Sequence, residues 1–101
     1  MMPRLLWELI GLMADSGSPL SDMEMAFEAL HQAAGQDSPY TRSGMARMAW
    51  AALKRQQPLE AREWHNALTQ RYGNRVEHSY LKRAIASYRP PGTDQWISDL
   101  E

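Results

Sequence analysis

The clearest structural signal in the chain lies in residues 21–35, which read SDMEMAFEALHQAAG. Ser21 and Glu24 have the spacing of a capping box, in which each side chain bonds an amide at the start of a helix. Apolar residues then recur at helical spacing, at Met23, Phe27, Leu30 and Ala34. Gly35 favours the left-handed conformation that ends many helices. These residues predict one amphipathic helix.

The same criteria predict four more helices on either side of this one. Their expected ranges are about 3–14, 44–56, 59–72 and 76–88, with a loop at 36–43. Pro3 and Pro58 suit first helical turns, because the amide hydrogen that proline lacks has no partner there. Gly73 and Asn74 form a turn signal between the last two helices. The prediction is an all-α bundle of about five helices.

Helical periodicity also predicts which side chains face the core. In the first helix the expected inward face is Leu5, Leu9, Leu12 and Met13, with Leu6 and Ile10 beside it. In the third it is Met45, Met48, Ala49, Ala52 and Leu53, with Arg47, Lys54 and Arg55 outward. The last two helices should bury Ala61, Trp64, Leu68 and Tyr72, and then Val76, Leu81, Ala84, Ile85 and Tyr88.

Length and composition limit the class of protein. A chain of 101 residues with 44% hydrophobic residues fits one helical domain with a packed core. The absence of cysteine excludes disulfides, thiolate metal sites and cysteine nucleophiles. The longest apolar stretch, Leu5 to Ala14, is far shorter than the roughly 20 residues of a membrane span. It also lacks the flanking pattern of a signal peptide. We therefore expect a cytoplasmic protein without membrane association.

Charge is strongly segregated along the chain, although the net charge is only −1. Residues 1–40 carry a net charge of −5, residues 41–90 carry +7, and residues 91–101 carry −3. We therefore divide the domain into an acidic helical pair (1–35), a basic three-helix unit (44–88) and a tail or rudimentary wing (89–101). A basic centre attracts polyanions, or it holds the acidic and basic parts of one fold together.

Residues suited to catalysis or metal binding do not form a recognisable pattern. Glu28 and His31 make half of the carboxylate–histidine pattern of helical di-iron sites, and no second copy follows. His65 and His78 have no metal-spaced partner, and no serine stands in the context of a nucleophile. We expect neither an enzyme nor a cofactor.

The basic unit resembles helix-turn-helix and winged-helix domains over residues 44 to about 97. Val76, Leu81 and Ala84 have the spacing of the inward positions of a recognition helix, and Gly73 and Asn74 lie in the turn before it. The turn is longer than in the tight form, and Arg71 stands where a small residue usually packs. The resemblance implies that the last helix enters the major groove of double-stranded DNA.

This interpretation predicts a nucleic-acid-binding surface on the last helix and its flanks. Its residues are Arg75, His78, Ser79, Lys82, Arg83 and Arg89. Lysine and arginine there would contact phosphates, and His78 or Ser79 would stand near base edges. The expected function is a small regulatory protein that binds DNA.

The alternative is a non-catalytic inhibitor or adaptor that docks on another macromolecule. Segregated charge suits such a protein equally well, and the acidic first helices would contact a protein partner or a second copy in a homodimer. Four methionines flank the loop between the second and third helices, where they either fill the core or contact a partner: Met23, Met25, Met45 and Met48. Because Met23 and Met25 lie about 200° apart around a helix, we expect at least one near the surface.

Overall fold

The structure, a computed structural model, describes residues 2–75 and 78–88. Five helices follow one another in these residues: α1 Pro3–Ser16, α2 Leu20–Ala34, α3 Pro39–Lys54, α4 Pro58–Tyr72 and α5 Ser79–Ala86. Neither described range contains a strand. The predicted all-α class and the number of helices are confirmed. Val76, Glu77 and the tail from Arg89 onward lie outside the described residues.

Helix α3 is the centre of the fold, because it contacts each of the other four helices. It is buried on most of its circumference, as expected of a helix enclosed by others. Its buried residues are Thr41, Gly44, Met45, Ala46, Met48, Ala49, Ala51, Ala52 and Leu53. All five residues predicted to face inward on this helix are therefore confirmed. The many alanines allow the neighbouring helices to approach α3 closely.

The start of α3 corrects the predicted loop at 36–43. The helix begins at Pro39, five residues before the expected Gly44. The Ser38 hydroxyl accepts a hydrogen bond from the Tyr40 amide at 3.1 Å, and Pro39 occupies the first turn. Serine before proline is a favourable helix start. The polar residues between Pro39 and Gly44 are the reason that the sequence predicted a loop here.

Gly44 lies where α2 and α3 approach each other most closely in this segment. A Cβ atom at this position would lie 2.8 Å from Cδ2 of Leu30 and 3.4 Å from the ring of Phe27. Such a contact is shorter than van der Waals distance, so the two helices approach at a residue without a side chain. A larger residue here would force the Leu30 side chain to move, so packing rather than backbone conformation favours glycine.

The start of α2 also differs from the prediction. The helix begins at Leu20, with Pro19 as its N-cap and no side-chain cap hydrogen bond. Ser21 is already inside the first turn, so the predicted capping box with Glu24 is wrong. The predicted end is confirmed, because Gly35 follows Ala34 with a positive φ of 85°.

Helix α1 is rotated relative to the predicted face. Leu6 and Ile10 are buried, whereas Leu5 and Leu12 are 53% and 66% exposed. The rotation follows from Trp7, whose indole N–H donates to the Ser43 hydroxyl at 2.8 Å. Stripes of leucine lie on two sides of this helix, and periodicity alone cannot choose between them. The prediction that Leu5, Leu9 and Leu12 face the core is wrong.

Two arginines predicted to point outward from α3 hold α1 instead. The Arg47 guanidinium donates to the Trp7 carbonyl at 2.9 Å and lies 3.7 Å above the Trp7 ring. Arg55 donates to the carbonyls of Ser18 at 2.7 Å and Met13 at 3.1 Å. Both side chains are half-buried, and only Lys54 of the three is exposed. The side chains of these two basic residues thus make contacts within the fold.

Replacement of Thr41 by valine tests the loop between α2 and α3. Thr41 is fully buried, and its hydroxyl donates to the Gly35 carbonyl at 2.7 Å. Valine keeps the shape of the side chain and removes the donor, so we expect the free energy of unfolding to fall by about 1–2 kcal/mol. Urea denaturation measures this loss. The matched variant Thr69→Val, on the half-buried face of α4, should lose less than about 0.5 kcal/mol.

Candidate nucleic-acid interface

A cleft of about 300 Å³ lies between α4 and α5. It is lined by His65, Leu68, Thr69, Gly73, Asn74, Arg75, His78, Ser79 and Lys82. Leu68 is buried and provides an apolar floor. The other side chains of the lining are polar or basic, and none of the described lining residues is acidic. The cleft therefore has an apolar floor and polar or basic side chains around it.

Helix α4 contributes one stripe of its surface to the cleft. His65 and Thr69 are four residues apart and therefore lie one above the other on the same face. Arg62 is one turn before His65 on that face and is exposed. The helix is fixed by Ala61 and Leu68, which are buried, and by Trp64, which packs edge-on against Phe27 of α2.

The segment after α4 brings the chain back across the cleft. Gly73 ends the helix with a φ of 80°, and its amide donates to the Thr69 carbonyl. A positive φ favours glycine, so the predicted turn at this position is confirmed. Asn74 and Arg75 follow and line the cleft from the connecting segment.

Helix α5 contributes the opposite wall. His78 and Lys82 are four residues apart, and Ser79 lies beside them at the first position of the helix. Leu81 is buried and anchors α5 in the fold. His78 is half-buried in the cleft and does not stand on the outer surface of α5, where we expected it near base edges.

The far side of α5 is held by an aromatic contact. The Tyr80 ring lies 5.7 Å from the Trp50 ring of α3 in an edge-on arrangement. Burial raises the pKa of the Tyr80 hydroxyl, and the nearby Arg47 charge opposes that rise. Tyr80 and Leu81 together fix how α5 is turned, and hence which of its residues reach the cleft.

The basic side chains of α4 and α5 converge only in part. Lys82 lines the cleft, and Arg83 shares a face of α5 with Ser79 because the two are four residues apart. Arg71 is nine residues from Arg62, about 180° around α4, and lines a different depression near Gln36. We use the name basic rim for two cations that line the cleft, Arg75 and Lys82, together with Arg62 and Arg83, which helical spacing places on adjoining faces of α4 and α5.

Three members of the basic rim are not paired with acidic residues of the first helices. Arg62, Lys82 and Arg83 are exposed, and none of the three forms an ion pair with any residue in the described part of the chain. The acidic half contains its own pair, between Arg4 and Glu8 at 3.2 Å. Positive charge on the rim is thus available to an anionic partner.

His65 is a titratable group whose pKa is shifted by this environment. Burial, and secondly the positive charge of Lys82, lower the pKa of the His65 imidazole. The side chain is therefore neutral at pH 7 and offers one N–H donor. The sequence analysis did not assign a role to His65, Thr69 or Asn74. The spacing of His65 and Thr69 on one face of α4 was the available signal.

The methionines proposed for partner contacts separate into two groups. Met23, Met45 and Met48 are at most 2% exposed and fill the core, where no partner reaches them. Met25 is 74% exposed, which confirms that one of Met23 and Met25 lies at the surface. Burial thus corrects the proposed partner contacts at three of the four positions.

Two other sequence expectations concern metals and membranes. Within residues 2–75 and 78–88, no group of three or more histidine, aspartate or glutamate side chains is placed to hold a metal ion. Glu28 and His31 thus have no third ligand among these residues. In the same part of the chain, no helix has the length and apolar character needed to cross a bilayer. The predicted contact of Arg89 lies outside the described residues.

Comparison of the chain with models of protein families, with curated proteins and with solved structures gives no match. Functional inference therefore depends on the geometry and the charge of the cleft and its rim.

Proposed function

We propose that the protein is a small regulatory protein that binds double-stranded DNA through α4, α5 and the segment between them. The observation that carries this proposal is the basic rim beside the cleft, where Arg62, Lys82 and Arg83 are exposed and form no ion pair with a carboxylate among the described residues. Phosphate contacts from lysine and arginine supply most of the affinity of such proteins for DNA. In this proposal α4 supports α5 in the manner of a helix-turn-helix unit.

The dimensions of α5 are compatible with the major groove. An α-helix with its side chains is about 10–12 Å across, and the major groove of B-DNA is about 12 Å wide. Ser79 and Arg83 share the face that leads away from the buried Leu81. In this arrangement these two side chains meet bases or phosphates, and Lys82 and Arg75 meet the backbone.

Salt dependence of binding tests this proposal. Three to four phosphate contacts predict a slope of log affinity against log salt of about −2.7 to −3.6. Affinity for a duplex of random sequence should then fall between about 40-fold and 150-fold from about 50 mM to about 200 mM salt. Fluorescence anisotropy of a labelled duplex measures the slope.

The same measurement distinguishes binding of DNA by the basic rim from attraction by the net charge of the whole chain. The net charge of the whole chain is only −1, so attraction by net charge predicts no binding at any salt concentration. A slope between 0 and −1, or no binding at about 50 mM salt, would contradict the proposal.

A second candidate function is favoured by a specific feature of α1. Met2, Leu5, Leu9 and Leu12 are exposed and spaced by three, four and three residues, which is the spacing of a helix–helix seam. This exposed leucine seam suits a non-catalytic inhibitor or adaptor, or a homodimer through the acidic helices. That candidate predicts no affinity for duplex DNA near about 0.1 M salt, together with co-purification of a defined protein.

A further inference from the structure

The polar side chains of the cleft come from three separate segments and border the same small space. His65 and Thr69 belong to α4, Arg75 to the connecting segment, and Ser79 and Lys82 to α5. We propose that the cleft is a binding site for one phosphate group, held by Lys82, Arg75 and the Ser79 hydroxyl. This assignment rests on the proposed function, in which the bound group is a phosphodiester of the DNA backbone.

The chemistry of the lining fits a tetrahedral oxyanion. Lysine offers three N–H donors, the arginine guanidinium offers a planar set, and each hydroxyl offers one O–H. Phosphate oxygens accept such bonds, and bonds between charged groups are stronger than neutral ones. A carboxylate at the same position would repel the ligand, and none lines the cleft among the described residues.

The size and shape of the cleft limit what enters it. About 300 Å³ is at the lower end of the volumes of small-ligand sites. Charged clefts with low-dielectric walls concentrate the field of their charges, and Leu68 provides such a wall here. A single phosphate group fits this space, and the duplex that carries it stays outside, against Arg62 and Arg83.

His65 reports on occupancy of the cleft. Its pKa is lowered by burial and then by the Lys82 charge. An anion beside Lys82 offsets that charge, so binding raises the pKa of the imidazole. By linkage, the anion binds more tightly as pH falls and His65 becomes protonated. Among the described residues, the other charged or titratable groups that line the cleft with His65 and Lys82 are His78 and Arg75.

The experiment follows the imidazole signals of His65 by NMR in the full chain. Sulfate, inorganic phosphate and chloride are added at equal ionic strength, and sulfate is used for the pH series because it does not titrate near neutrality. Sulfate and phosphate should shift the His65 signals to saturation and raise its pKa, whereas chloride should not. A short duplex with 5′-hydroxyl ends, whose phosphates are all diesters, should shift the same signals.

Matched variants assign the effect to the cleft. Lys82→Gln should weaken sulfate binding about tenfold, because one charged hydrogen bond is lost. Arg71→Gln removes an exposed charge of α4 outside the cleft and should leave sulfate binding unchanged. Unchanged far-ultraviolet circular dichroism shows that both variants remain folded.

The outcomes separate the phosphate site from the DNA function. If duplex binds while His65 does not respond and Lys82→Gln equals Arg71→Gln, the phosphate site is wrong and the DNA function stands. If sulfate and phosphate saturate the cleft while the duplex does not bind at low salt, the phosphate site is supported and the DNA function is wrong. A His65 response to chloride equal to that to sulfate would also overturn the site.

Discussion

Reversal of charge at two positions of α5, Lys82→Glu with Arg83→Glu, should weaken binding to duplex DNA by about 100- to 1000-fold near 0.1 M salt. Two phosphate contacts are lost, and two carboxylates now face the DNA backbone. The slope of affinity against salt should become shallower by about one for each contact removed. Both side chains are exposed, so the fold should tolerate the change. Anisotropy with a random duplex measures both quantities.

A control with the same change of charge is available elsewhere on the molecule. Lys54→Glu with Arg71→Glu also replaces one lysine and one arginine, and both residues are exposed. Lys54 lies over the Trp50 ring, on the side of α5 that Tyr80 occupies, and Arg71 lies on another face of α4. Because net charge is identical in the two double variants, any difference between them measures position alone.

Two outcomes of this comparison would contradict binding of DNA through α5 and the basic rim. If both double variants weaken binding to the same extent, the affinity comes from overall charge and the basic rim is not the DNA-binding surface. If the variant at Lys82 and Arg83 binds as well as the unmodified protein, α5 does not contact DNA. Circular dichroism and a cooperative thermal transition in both variants exclude loss of the fold as the cause.

The helices could be predicted from the sequence because each is marked by its own residues. The end of α2 at Gly35 and the start of α4 at Pro58 follow from local backbone chemistry. The inward face of α3 is predictable for a different reason. Its large apolar residues, such as Met45 and Met48, lie on one side of the helix. Helical periodicity therefore identifies that side as the one that faces the core.

The orientation of α1 could not be predicted because the deciding contacts are distant in sequence. Trp7 bonds to Ser43, and Arg47 lies on the Trp7 ring. Gly11 makes room for that guanidinium, since a Cβ there would overlap its terminal nitrogen. A helix with two leucine stripes offers no local reason to bury one of them. The contacts of α1 with α3 therefore determine which face of α1 is buried.

The candidate site was predictable only as a region of the chain. The sequence indicated α5 and its basic residues, and Lys82 and Ser79 do line the cleft. The opposite wall, with His65 and Thr69, depends on how α4 packs against α5. Formal charge also overstates the basic surface. Arg47 and Arg55 count equally with Arg83 in the sequence, although their guanidinium groups are used inside the fold.

The largest effect on stability is expected from replacement of Arg55. Its guanidinium donates to the carbonyls of Ser18, Met13 and Ala51, and so joins the end of α1 to the end of α3. Hydrogen bonds to a charged group contribute about 1.5–3 kcal/mol. Arg55→Ala should therefore lower the free energy of unfolding by about 2–3 kcal/mol. Thermal denaturation should show Tm lowered by roughly 10–20 °C.

The carbonyl groups that accept from Arg55 are affected differently by its removal, and two control variants separate the causes of the loss. The Met13 carbonyl keeps its bond from the Ser18 amide, whereas the Ser18 carbonyl loses a partner at 2.7 Å. Arg55→Lys retains the charge but cannot span the same acceptors, so it should recover less than half of the loss. Lys54→Ala removes the exposed neighbouring charge and should change stability by less than about 0.5 kcal/mol. An equal loss in Lys54→Ala and Arg55→Ala would mean that charge at the end of α3, rather than the connection to α1, stabilises the fold.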